Sequence, residues 1–543
     1  MNRLLSYLSL ALFSVIPLLS IPSLTHAADR PNIVMAFADD WGCHASAYGK
    51  LNPGGLNDLV ATPHFDSVAE QGVLFTRAFV SAPSCTPCRS SLLSGQHFWR
   101  CGSASILQNA EWDFEIPSYP LLLESAGYRI GHTYKVWSPG TPADAPHGGA
   151  ARGFNRAGRK FNGFSQNAMK GNDPDARKAE LLDEVRGNLL SFLDPNGDQA
   201  VDGEQPFCYF FGPTNCHRKW VAGSGKKLWG INPDDFAGKI PPYLPDVPLV
   251  REDFADYFGE IQAFDAGLGV IIDELKRLGV YDNTILVVSG DHGFPGVTRG
   301  KCNLYDFGTH VPLAIRWPAG MKKQGRVVDD FVSLPDLAPT FLEAAGVSIP
   351  ETMTAKSLIP VLTSSKSGTV DAKRDAVFTG RERHVAAAQP DFTPYPQRAI
   401  RTDQHLLIIN FAPQRWPMGS GPGYGEPATA LPNFAASREN TMVGFRDMDG
   451  SPTKAWIMTH RDSDPRSFDF AFARRPRVEL YDVQKDPHCM KNLVDDPASQ
   501  SVRSQLESRL MSELKRTDDP RVSDNVIFES AEFTKPYVKN KKK

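Results

Sequence analysis

Four short stretches of the chain are almost entirely apolar and stop abruptly at polar side chains. NIVMAFADDWG contains Asp39 and Asp40 near its end, and TILVVSGDHG contains Asp291 and His292. A third, PFCYFFGPTNCH, leads to His217, and VPLAIRWP is a fourth. Apolar runs of this length are typical of strands buried on both faces of a parallel sheet. Each run therefore predicts a strand, and three of them deliver acids or histidines at the strand end.

Segments with helical spacing of apolar residues lie between these strands. LLLESAGYR follows Tyr119, and FADYFGEIQAFDAGLGVIIDELKRLGV repeats apolar residues at helical spacing before a glycine ends the pattern. Strands that alternate with helices predict the α/β class, with a mostly parallel sheet between helices. Ligands of such sheets bind beyond the carboxyl ends of the strands, so we expect the acids and histidines to converge on one edge.

Acids that converge in this way need a compensating charge. Two carboxylates about 5 Å apart repel each other by roughly 3 kcal/mol at an effective dielectric constant near 20. Asp39, Asp40 and Asp291 together therefore predict a bound cation, and oxygen ligands favour Ca²⁺ or Mg²⁺ over zinc. His292 leaves room for a transition metal. A single strand-end Asp is more often a helix cap or turn residue, but the doublet with a distant Asp-His favours a metal site.

Composition and charge place the chain among ordinary globular proteins. Its 543 residues exceed what one core holds, so we expect two domains. The balance of 59 Lys and Arg against 62 Asp and Glu leaves no global charge that would suggest nucleic-acid binding. The one basic run, KPYVKNKKK, predicts a solvated tail over residues 525–543.

The first 27 residues have the pattern of an export signal. Arg3 supplies a positive charge, an apolar run follows to Leu24, and the residues up to Ala27 resemble a small-residue cleavage site. The run is nearly long enough to span a bilayer, so an uncleaved anchor is the alternative. Its serines and prolines favour removal, which predicts a periplasmic or secreted protein. No later segment of the sequence is long and apolar enough to span a membrane.

The eight cysteines are too few for a disulfide framework in so long a chain. Two of them, Cys85 and Cys88, lie in SCTPCRSSLLSG. A redox pair usually opens a helix of a small thioredoxin-like domain, whereas this pair lies in a large one. A zinc site needs a second pair of ligands at a suitable spacing, and the sequence has none. What remains is the pattern Cys-x-Pro-x-Arg followed by serines and leucines.

This pattern is the signature of the type I sulfatases, and the resemblance extends over nearly the whole chain. RPNIVMAFADDWG is similar to the family's opening strand, ATPHFDSVAEQGVLFTRAFVSAPSCTPCRSSLLSG to its second block, and GYRIGHTYK to its lysine block. GDHG resembles the late metal block, and RGKCNLYDFGTHVPLAIRWP resembles the block that carries another active-site lysine. RVELYDVQKDPHCMKNL resembles a motif of the smaller C-terminal domain. The order of these motifs along the chain is that of the family.

The resemblance implies an alkaline-phosphatase-like catalytic domain over about residues 28–373. It further implies a smaller domain over residues 374–524, with an antiparallel sheet and a packed helix. VRSQLESRLMSEL has the apolar spacing expected for that helix. The Gly- and Pro-rich residues 413–437 are expected to form a long loop near the site.

The resemblance also implies the chemistry of the site. Cys85 is expected to be oxidised by a maturation enzyme to formylglycine, whose hydrate supplies an oxygen nucleophile for sulfur. Arg89 is expected to steady that nucleophile, and Lys135 and Lys301 to hold sulfate oxygens. The residues expected to bind one Ca²⁺ are the strand-end groups and residue 85, namely Asp39, Asp40, Cys85, Asp291 and His292.

Several details resemble the heparan N-sulfatase (sulfamidase) branch, notably KCNLYDFGTHVPL, PYPQRAIRTDQHLLIINF and VELYDVQKDPH. His217 falls where the family keeps a histidine near the leaving group, which implies a general acid, although an isolated histidine is more often structural. Trp137 replaces the histidine of a Lys-x-His pattern, and His292 replaces the branch's usual Asn. Cys88 stands where a small residue is common, so a disulfide with Cys85 is a competing outcome if maturation fails.

A sulfated carbohydrate is the substrate class that the resemblance implies, with N-sulfoglucosamine of heparan-type glycans first. Besides the two lysines, the candidate contacts are Trp137, Arg383, His384 and Arg398, although such charged residues equally often form interdomain salt bridges. The rivals are an O-sulfatase, a formylglycine-dependent phosphodiester or phosphonate hydrolase, and a sulfated-glycan-binding protein without catalysis. A phosphatase of the same fold usually presents Ser or Thr and gathers two zinc ions, which the Cys-x-Pro-x-Arg pattern disfavours.

Overall fold

The apolar runs form the centre of an eight-stranded sheet in the computed structural model, which describes residues 30–203, 205–427, 431–523 and 527–537. Its strands are β1 (Asn32–Ala38), β2 (Val73–Phe79), β3 (Arg129–Tyr134), β4 (Phe207–Gly212), β5 (Thr284–Gly290), β6 (His310–Arg316), β7 (Arg326–Val328) and β8 (Val332–Ser333). The order is β3-β4-β1-β5-β6-β2-β7, and β8 also pairs with β2. All pairs are parallel except the two that β6 makes with β5 and β2. The predicted mostly parallel α/β sheet is confirmed.

The helices of this part of the chain cover the two faces of the sheet. They are α1 (Ser46–Leu51), α2 (Pro63–Glu70), α3 (Cys85–Ser94), α4 (Tyr119–Ser125), α5 (Phe164–Ala168), α6 (Pro174–Leu193), α7 (Ser224–Trp229), α8 (Pro248–Arg277), α9 (Asp306–Thr309), α10 (Leu337–Ala344) and α11 (Ile359–Leu362). The strands β1, β4 and β5 are buried along their whole length, which is why apolar residues follow one another in their sequences and do not merely alternate with polar ones.

Alternate residues of β1 belong to different hydrophobic cores, one on each face of the sheet. Val34 and Ala36 pack in the core that includes α8, whereas Ile33 and Met35 pack in the core that includes α4 and α10. The α3 helix packs on the second of these faces through Leu92 and its neighbours. Because both faces are covered, the open carboxyl edge of the strands is left for a site.

A second, four-stranded antiparallel sheet follows in the chain. It consists of β9 (Ala376–Arg381), β10 (Gln397–Thr402), β11 (His405–Asn410) and β14 (Val478–Asp482), in the order β14-β11-β10-β9. The predicted packed helix is α15 (Gln500–Arg516), which buries Leu506, Leu510 and Leu514 at a spacing of four residues. The smaller antiparallel domain with its helix is therefore present, as the resemblance implied.

Between β11 and β14 the chain returns to the large domain. This excursion contains β12 (Gly421–Pro422), β13 (Gly425–Glu426), α12 (Phe434–Glu439), α13 (Pro452–Thr459) and α14 (Pro465–Phe472). Its residues Phe445, Met448 and Ile457 belong to the same hydrophobic core as α8. The predicted loop over residues 413–437 is the first part of this excursion, which carries further residues to the catalytic edge.

The expected solvated tail from residue 525 onward is only partly a tail. Phe528 and Phe533 are 2% exposed and pack in the core that contains α15. Glu529 accepts ion-paired hydrogen bonds from Arg415 and Arg521. Two aromatic residues and an acid among the basic ones are enough to anchor residues 527–537 on the small domain, so the basic-tail prediction is wrong there.

Two predictions fall on residues outside the described ranges. The export signal over residues 1–27 and the terminal lysines over residues 541–543 both lie there. Among the residues that the structure describes, we find no helix that combines the length and the apolar character needed to cross a membrane.

Candidate active site

The strand-end acids converge because β1 and β5 are neighbouring parallel strands in register, with Ala38 opposite Gly290. Asp39 and Asp40 follow β1, while Asp291 follows β5. The backbone N–H of Asp291 donates to the carbonyl of Ala38 (3.2 Å), and the backbone N–H of Asp40 donates to Oδ1 of Asp291 (2.8 Å). Asp40 has a φ of 61°, a left-handed conformation that Asp tolerates better than most residues. The carboxylates of the two strand ends are thus tied together.

Cys85 is the first residue of α3, and this helix points its N-terminus at the acids. Cys85 Sγ lies 3.3 Å from Nε2 of His292 and 4.0 Å from Oδ1 of Asp40, and the residue is 3% exposed. Burial, followed by the charge of Asp39, raises the pKa of the Cys85 thiol well above its usual value, although Lys135 and Lys301 oppose this. An unmodified Cys85 is therefore a protonated and weak nucleophile.

Arg89 lies one helical turn after Cys85 and is fully buried. Its Nε donates to Oδ2 of Asp291 (2.8 Å), and its Nη2 donates to Oδ1 of Asp39 (3.2 Å). The guanidinium also stacks over the ring of Phe37 at 5.0 Å. The spacing of four residues between Cys85 and Arg89 in the signature is therefore what allows one helix to place both side chains on the acid cluster.

Two lysines from distant parts of the chain complete the cluster. Lys135, just after β3, donates to both oxygens of Asp39 at 2.8 and 2.7 Å. Lys301 donates to both oxygens of Asp40 at 3.1 and 3.2 Å. Burial alone would raise the pKa of Asp39, but Lys135 and then Arg89 hold it well below its usual value. The structure thus brings Cys85, the acids and both predicted lysines together.

The three acids are compensated by the protein's own cations. Asp39, Asp40 and Asp291 meet three cationic side chains, those of Arg89, Lys135 and Lys301. Repulsion alone therefore does not require a metal ion. What points to one is the presence of further donor atoms among the acids.

Within the part of the chain that the structure describes, three groups of residues could each hold a metal ion. In each group one ligand atom per residue lies within 4.8 Å of the others, and the groups are Asp40, Cys85 and His292; Asp39, Asp40 and His217; and Asp39, Cys85 and Asp291. Together they contain all five residues predicted as metal ligands and add His217. Carboxylate oxygens dominate the set, and such donors suit a hard divalent cation.

His217 lies in a turn after β4 and faces the acids. Its Nδ1 is 2.5 Å from the carbonyl oxygen of Arg218, so Nδ1–H donates there and Nε2 is left for the cluster. Burial alone would raise the pKa of Asp39 and that of Asp449. His217 helps to lower both, after Lys135 and Arg89 at Asp39 and after Lys301 at Asp449. A histidine with one nitrogen anchored and the other beside carboxylates can carry a proton to a ligand.

Sequence reasoning missed Asp449 as a member of this site. Its Oδ2 lies 3.4 Å from Nζ of Lys301, which thereby bridges Asp449 and Asp40. The only signal in the sequence was the expectation of a long loop near the site over residues 413–437, and Asp449 lies just beyond it. No local pattern marks this aspartate among its many surface counterparts.

The four residues predicted to contact a sugar lie in different surroundings. His384 lies at the site, where its Nδ1 is 2.8 Å from Oγ of Ser84, the residue before Cys85. Trp137 is fully buried; its Nε1 donates to Oγ of Ser90 (2.7 Å), so it packs in the core rather than facing a ligand. Arg383 is 3% exposed, and its guanidinium donates to backbone carbonyls, including those of Gln108 and Lys535. We therefore replace the expected sugar contacts of Trp137 and Arg383 with structural roles.

Arg398 is likewise a structural residue, of the interdomain kind that the sequence left open. It is fully buried, and its guanidinium donates to both oxygens of Asp519 at 2.5 and 2.9 Å. It also pairs with Glu382 at 2.9 Å and stacks over Phe98 and Trp99, which belong to the large domain. The expected sugar contact of Arg398 is corrected to an ion pair at the domain boundary.

Changing Arg398 to alanine is expected to lower the free energy of unfolding by about 3–5 kcal/mol, because it leaves buried carboxylates unpaired. The matched control is Arg509→Ala, which removes an ion pair with Asp375 whose side chains are 41% and 55% exposed. That change should cost about 1 kcal/mol or less. Urea unfolding followed by tryptophan fluorescence measures both. Equal losses for the two variants would contradict the structural role of Arg398.

Comparison with known proteins supports one family. Residues 31–347 match the family model described as "Sulfatase", and residues 290–418 match the one described as "N-sulphoglucosamine sulphohydrolase, C-terminal". The chain is 28% identical over 535 residues to the human N-sulphoglucosamine sulphohydrolase, covering 94% of this chain and 95% of the relative.

Solved structures share the fold. One is a Bacteroides thetaiotaomicron protein described under the metabolism of glycosaminoglycans, with a TM-score of 0.61 and 19% identity over 92% of this chain and 99% of that one. Another is the phosphonate monoester hydrolase of Agrobacterium radiobacter, with a TM-score of 0.59 and 18% identity over 91% and 97%. The family match covers more than half of the chain, including every residue of the cluster around Cys85 except Asp449 and His384. The chain therefore belongs to the sulfatase family and is a sulfuric ester hydrolase.

Proposed function

We propose that this protein is an exported sulfatase that hydrolyses the N-sulfate of glucosamine in heparan-type glycans, with formylglycine formed from Cys85 and one bound Ca²⁺. The observation that carries the proposal is the placement of Cys85 Sγ within 4.0 Å of Asp40 and 3.3 Å of His292. The choice of the N-sulfate bond is supported by the 28% identity, over nearly the full length, to a relative named for that reaction.

The residues present fit both groups that the proposal needs. Oxygen donors of Asp39, Asp40 and Asp291 suit Ca²⁺, with His292 and residue 85 beside them. Lys135 and Lys301 contact Asp39 and Asp40. With an ion bound to these carboxylates, the two ammonium groups would be available to another anion. When present, formylglycine would supply an oxygen nucleophile and Ca²⁺ would polarise the bonds of the sulfate.

The cationic side chains are suited to bind the sulfate group. Lys135 and Lys301 reach different carboxylates of the cluster, since one contacts Asp39 and the other Asp40. Arg89 is held by Asp39 and Asp291 and keeps a fixed charge next to residue 85. The N-terminus of α3 adds its partial positive charge on the same side. These groups orient the sulfur toward residue 85 and stabilise charge that develops on the sulfate oxygens.

His217 is the proposed proton donor to the leaving nitrogen. As an acid it carries protons on both ring nitrogens, with Nδ1–H held by the carbonyl of Arg218 and Nε2–H free to be transferred. The amine of a sugar is a poor leaving group as an anion, so it departs only when a proton reaches it in the transition state.

Changing His217 to alanine is expected to lower kcat for N-sulfoglucosamine by about 10²–10⁴-fold, which is the usual contribution of a general acid. The loss on a nitrophenyl sulfate should be much smaller, because a nitrophenolate leaves without a proton. Sulfate release from both substrates, measured on the same preparations, tests this. His460→Ala is the matched control, since His460 lies on the outer part of the chain excursion and stacks on Trp456. Equal losses on the two substrates would make His217 a binding residue instead of an acid.

The bond and the cellular location have tests of their own. Wild-type protein should release sulfate from N-sulfoglucosamine; release from 6-O-sulfated but not N-sulfated glucosamine would keep the sulfatase activity and overturn the choice of bond.

For export, the mature protein from a native host is expected to begin after Ala27. An N-terminal peptide that retains the apolar run up to Leu24 would favour the anchor.

A further inference from the structure

The carboxylate of Asp449 faces the site with an oxygen that is free to accept a hydrogen bond. Oδ2 of Asp449 is buried, and among the residues that the structure describes none donates a hydrogen bond to it. The contact with Lys301 at 3.4 Å is an ion pair without hydrogen-bond geometry. Burial would raise the pKa of Asp449, but Lys301, followed by His217 and His384, holds it below its usual value. The group is therefore an anion with an open acceptor, next to the sulfate-binding lysine.

Hydrogen bonds from neighbouring segments fix the position of the backbone next to Asp449. Lys454, which is fully buried, donates from Nζ to the carbonyl of Met448 (2.7 Å) and to two further carbonyls of the same segment. Asp447 pairs with Arg381 and accepts a hydrogen bond from the backbone N–H of Val385 (2.8 Å). These two anchors hold Asp447 and Met448, the residues that immediately precede Asp449, so the backbone that leads into Asp449 is fixed next to Lys301.

The negative charge of Asp449 restricts which part of a sulfated ligand it can contact. A carboxylate repels a sulfate group, so Asp449 cannot face the sulfate oxygens without opposing the lysines. It can face the other side of the scissile bond, where the leaving group lies, provided that the leaving group offers a hydrogen-bond donor. The bridging oxygen of a sulfate ester has no hydrogen, whereas the nitrogen of an N-sulfate carries one. After cleavage that nitrogen becomes an ammonium group, which a carboxylate binds more strongly still.

We infer that Asp449 is a specificity-determining residue that accepts a hydrogen bond from the leaving-group nitrogen of N-sulfated glucosamine. This inference rests on the proposed function, because it assigns Asp449 to the bond that the proposal selects. The open acceptor on Oδ2, the anchored segment and the adjoining sulfate-binding lysine support it together. Asp449 then favours a nitrogen over an oxygen at the cleaved bond, and it holds the product amine until the sulfate has left.

The experiment compares D-glucosamine with D-glucose, which differ only in an amine or a hydroxyl at the position of the leaving group. Dissociation constants for the purified full chain in calcium buffer are measured by ligand-observed NMR, at a pH at which the amine is protonated. We expect wild-type protein to bind glucosamine roughly 10- to 100-fold more tightly than glucose, the range for a hydrogen bond between charged groups. Asp449→Asn should reduce this ratio to within about threefold.

Two further variants make the result interpretable. Asp462→Asn removes the same charge from an exposed side chain (94%) of the same chain excursion, and it should keep the wild-type ratio. Asp449→Glu keeps the charge and should restore a preference for glucosamine, which also serves if Asp449→Asn fails to fold. A wild-type ratio near one, or an Asp449→Asn ratio equal to that of wild type, would overturn the inference.

The outcome separates this inference from the proposed function. Sulfate release from N-sulfoglucosamine tests the function alone, whereas the binding ratio tests Asp449 alone. If wild type cleaves the N-sulfate but Asp449→Asn keeps the amine preference, the function stands and the assignment of Asp449 fails. If the amine preference depends on Asp449 but the N-sulfate is not cleaved, the assignment of the residue stands and the choice of bond fails.

Discussion

Changing Cys85 to alanine is expected to reduce sulfate release to the background rate, whereas Cys88→Ala should stay within a few-fold of wild type. The reason is where the two sulfur atoms lie. Cys85 Sγ faces His292 and Asp40. Cys88, on the same helix, is 1% exposed and packs in the hydrophobic core. Only Cys85 can present a modified side chain to a bound sulfate. Coexpression with a maturation enzyme, followed by a sulfate-release assay, measures the effect.

Mass spectrometry of the same preparations identifies the modified residue. The peptide that contains both cysteines should carry the aldehyde at Cys85 and an unmodified thiol at Cys88. Cys85→Ser adds a useful comparison, because an unoxidised serine hydroxyl supplies an oxygen but lacks the second hydroxyl of a hydrated aldehyde. A fully active preparation in which Cys85 is still a thiol would contradict the proposed nucleophile, and the raised pKa of that thiol is the physical reason to expect none.

Removal of metal is expected to have the second large effect. Chelation should abolish sulfate release and lower the unfolding temperature, and added Ca²⁺ should restore both. A ligand present at about 100 times its dissociation constant stabilises the folded state by roughly 2.7 kcal/mol. Without the ion, Lys135 and Lys301 should stay paired with Asp39 and Asp40, as they are in this structure, and would be less available to the sulfate.

A pair of variants tests where the ion binds. Asp40→Asn should lose the stabilisation by calcium, because Asp40 belongs to two of the three groups of close donor atoms. Asp518→Asn, an exposed acid (82%) paired with Arg100, should keep it. Thermal unfolding with and without calcium measures the difference. Full activity in metal-free protein, or an equal calcium effect in both variants, would rule out the proposed site.

Much of the fold could be predicted from local pattern, because burial leaves a periodic trace in the sequence. The strands β1, β4 and β5 have consecutive apolar residues since both faces of the sheet are covered, and α15 shows the four-residue spacing of a helix with one buried face. The strand ends then placed Asp39 and Asp291 on one edge without further information. The signature around Cys85 did the same for Arg89, because four residues on a helix make one turn.

The partners of charged side chains could not be predicted in this way. Lys301 and Arg398 both follow from family-like motifs, yet one lies in the site and the other pairs with Asp519 at the domain boundary. Trp137 stands at the position of an expected histidine but turns into the core beside Ser90. In each case the partner of the side chain is a group that the packing brings near from a distant part of the chain. The local spacing of residues does not reveal which group that is.

The chain pattern by itself therefore decided the sheet, the helices and the edge on which the chemistry lies. Tertiary structure alone decided the charge balance of that edge, because the lysines and Asp449 arrive from segments far apart in sequence. Asp449 shows this most clearly: it reaches Lys301 only because Phe445 and Met448 pack in the core of the large domain and carry the segment with them. Apolar periodicity is a local property of the chain, whereas the pairing of charges depends on long-range packing, which brings distant residues within a few ångströms.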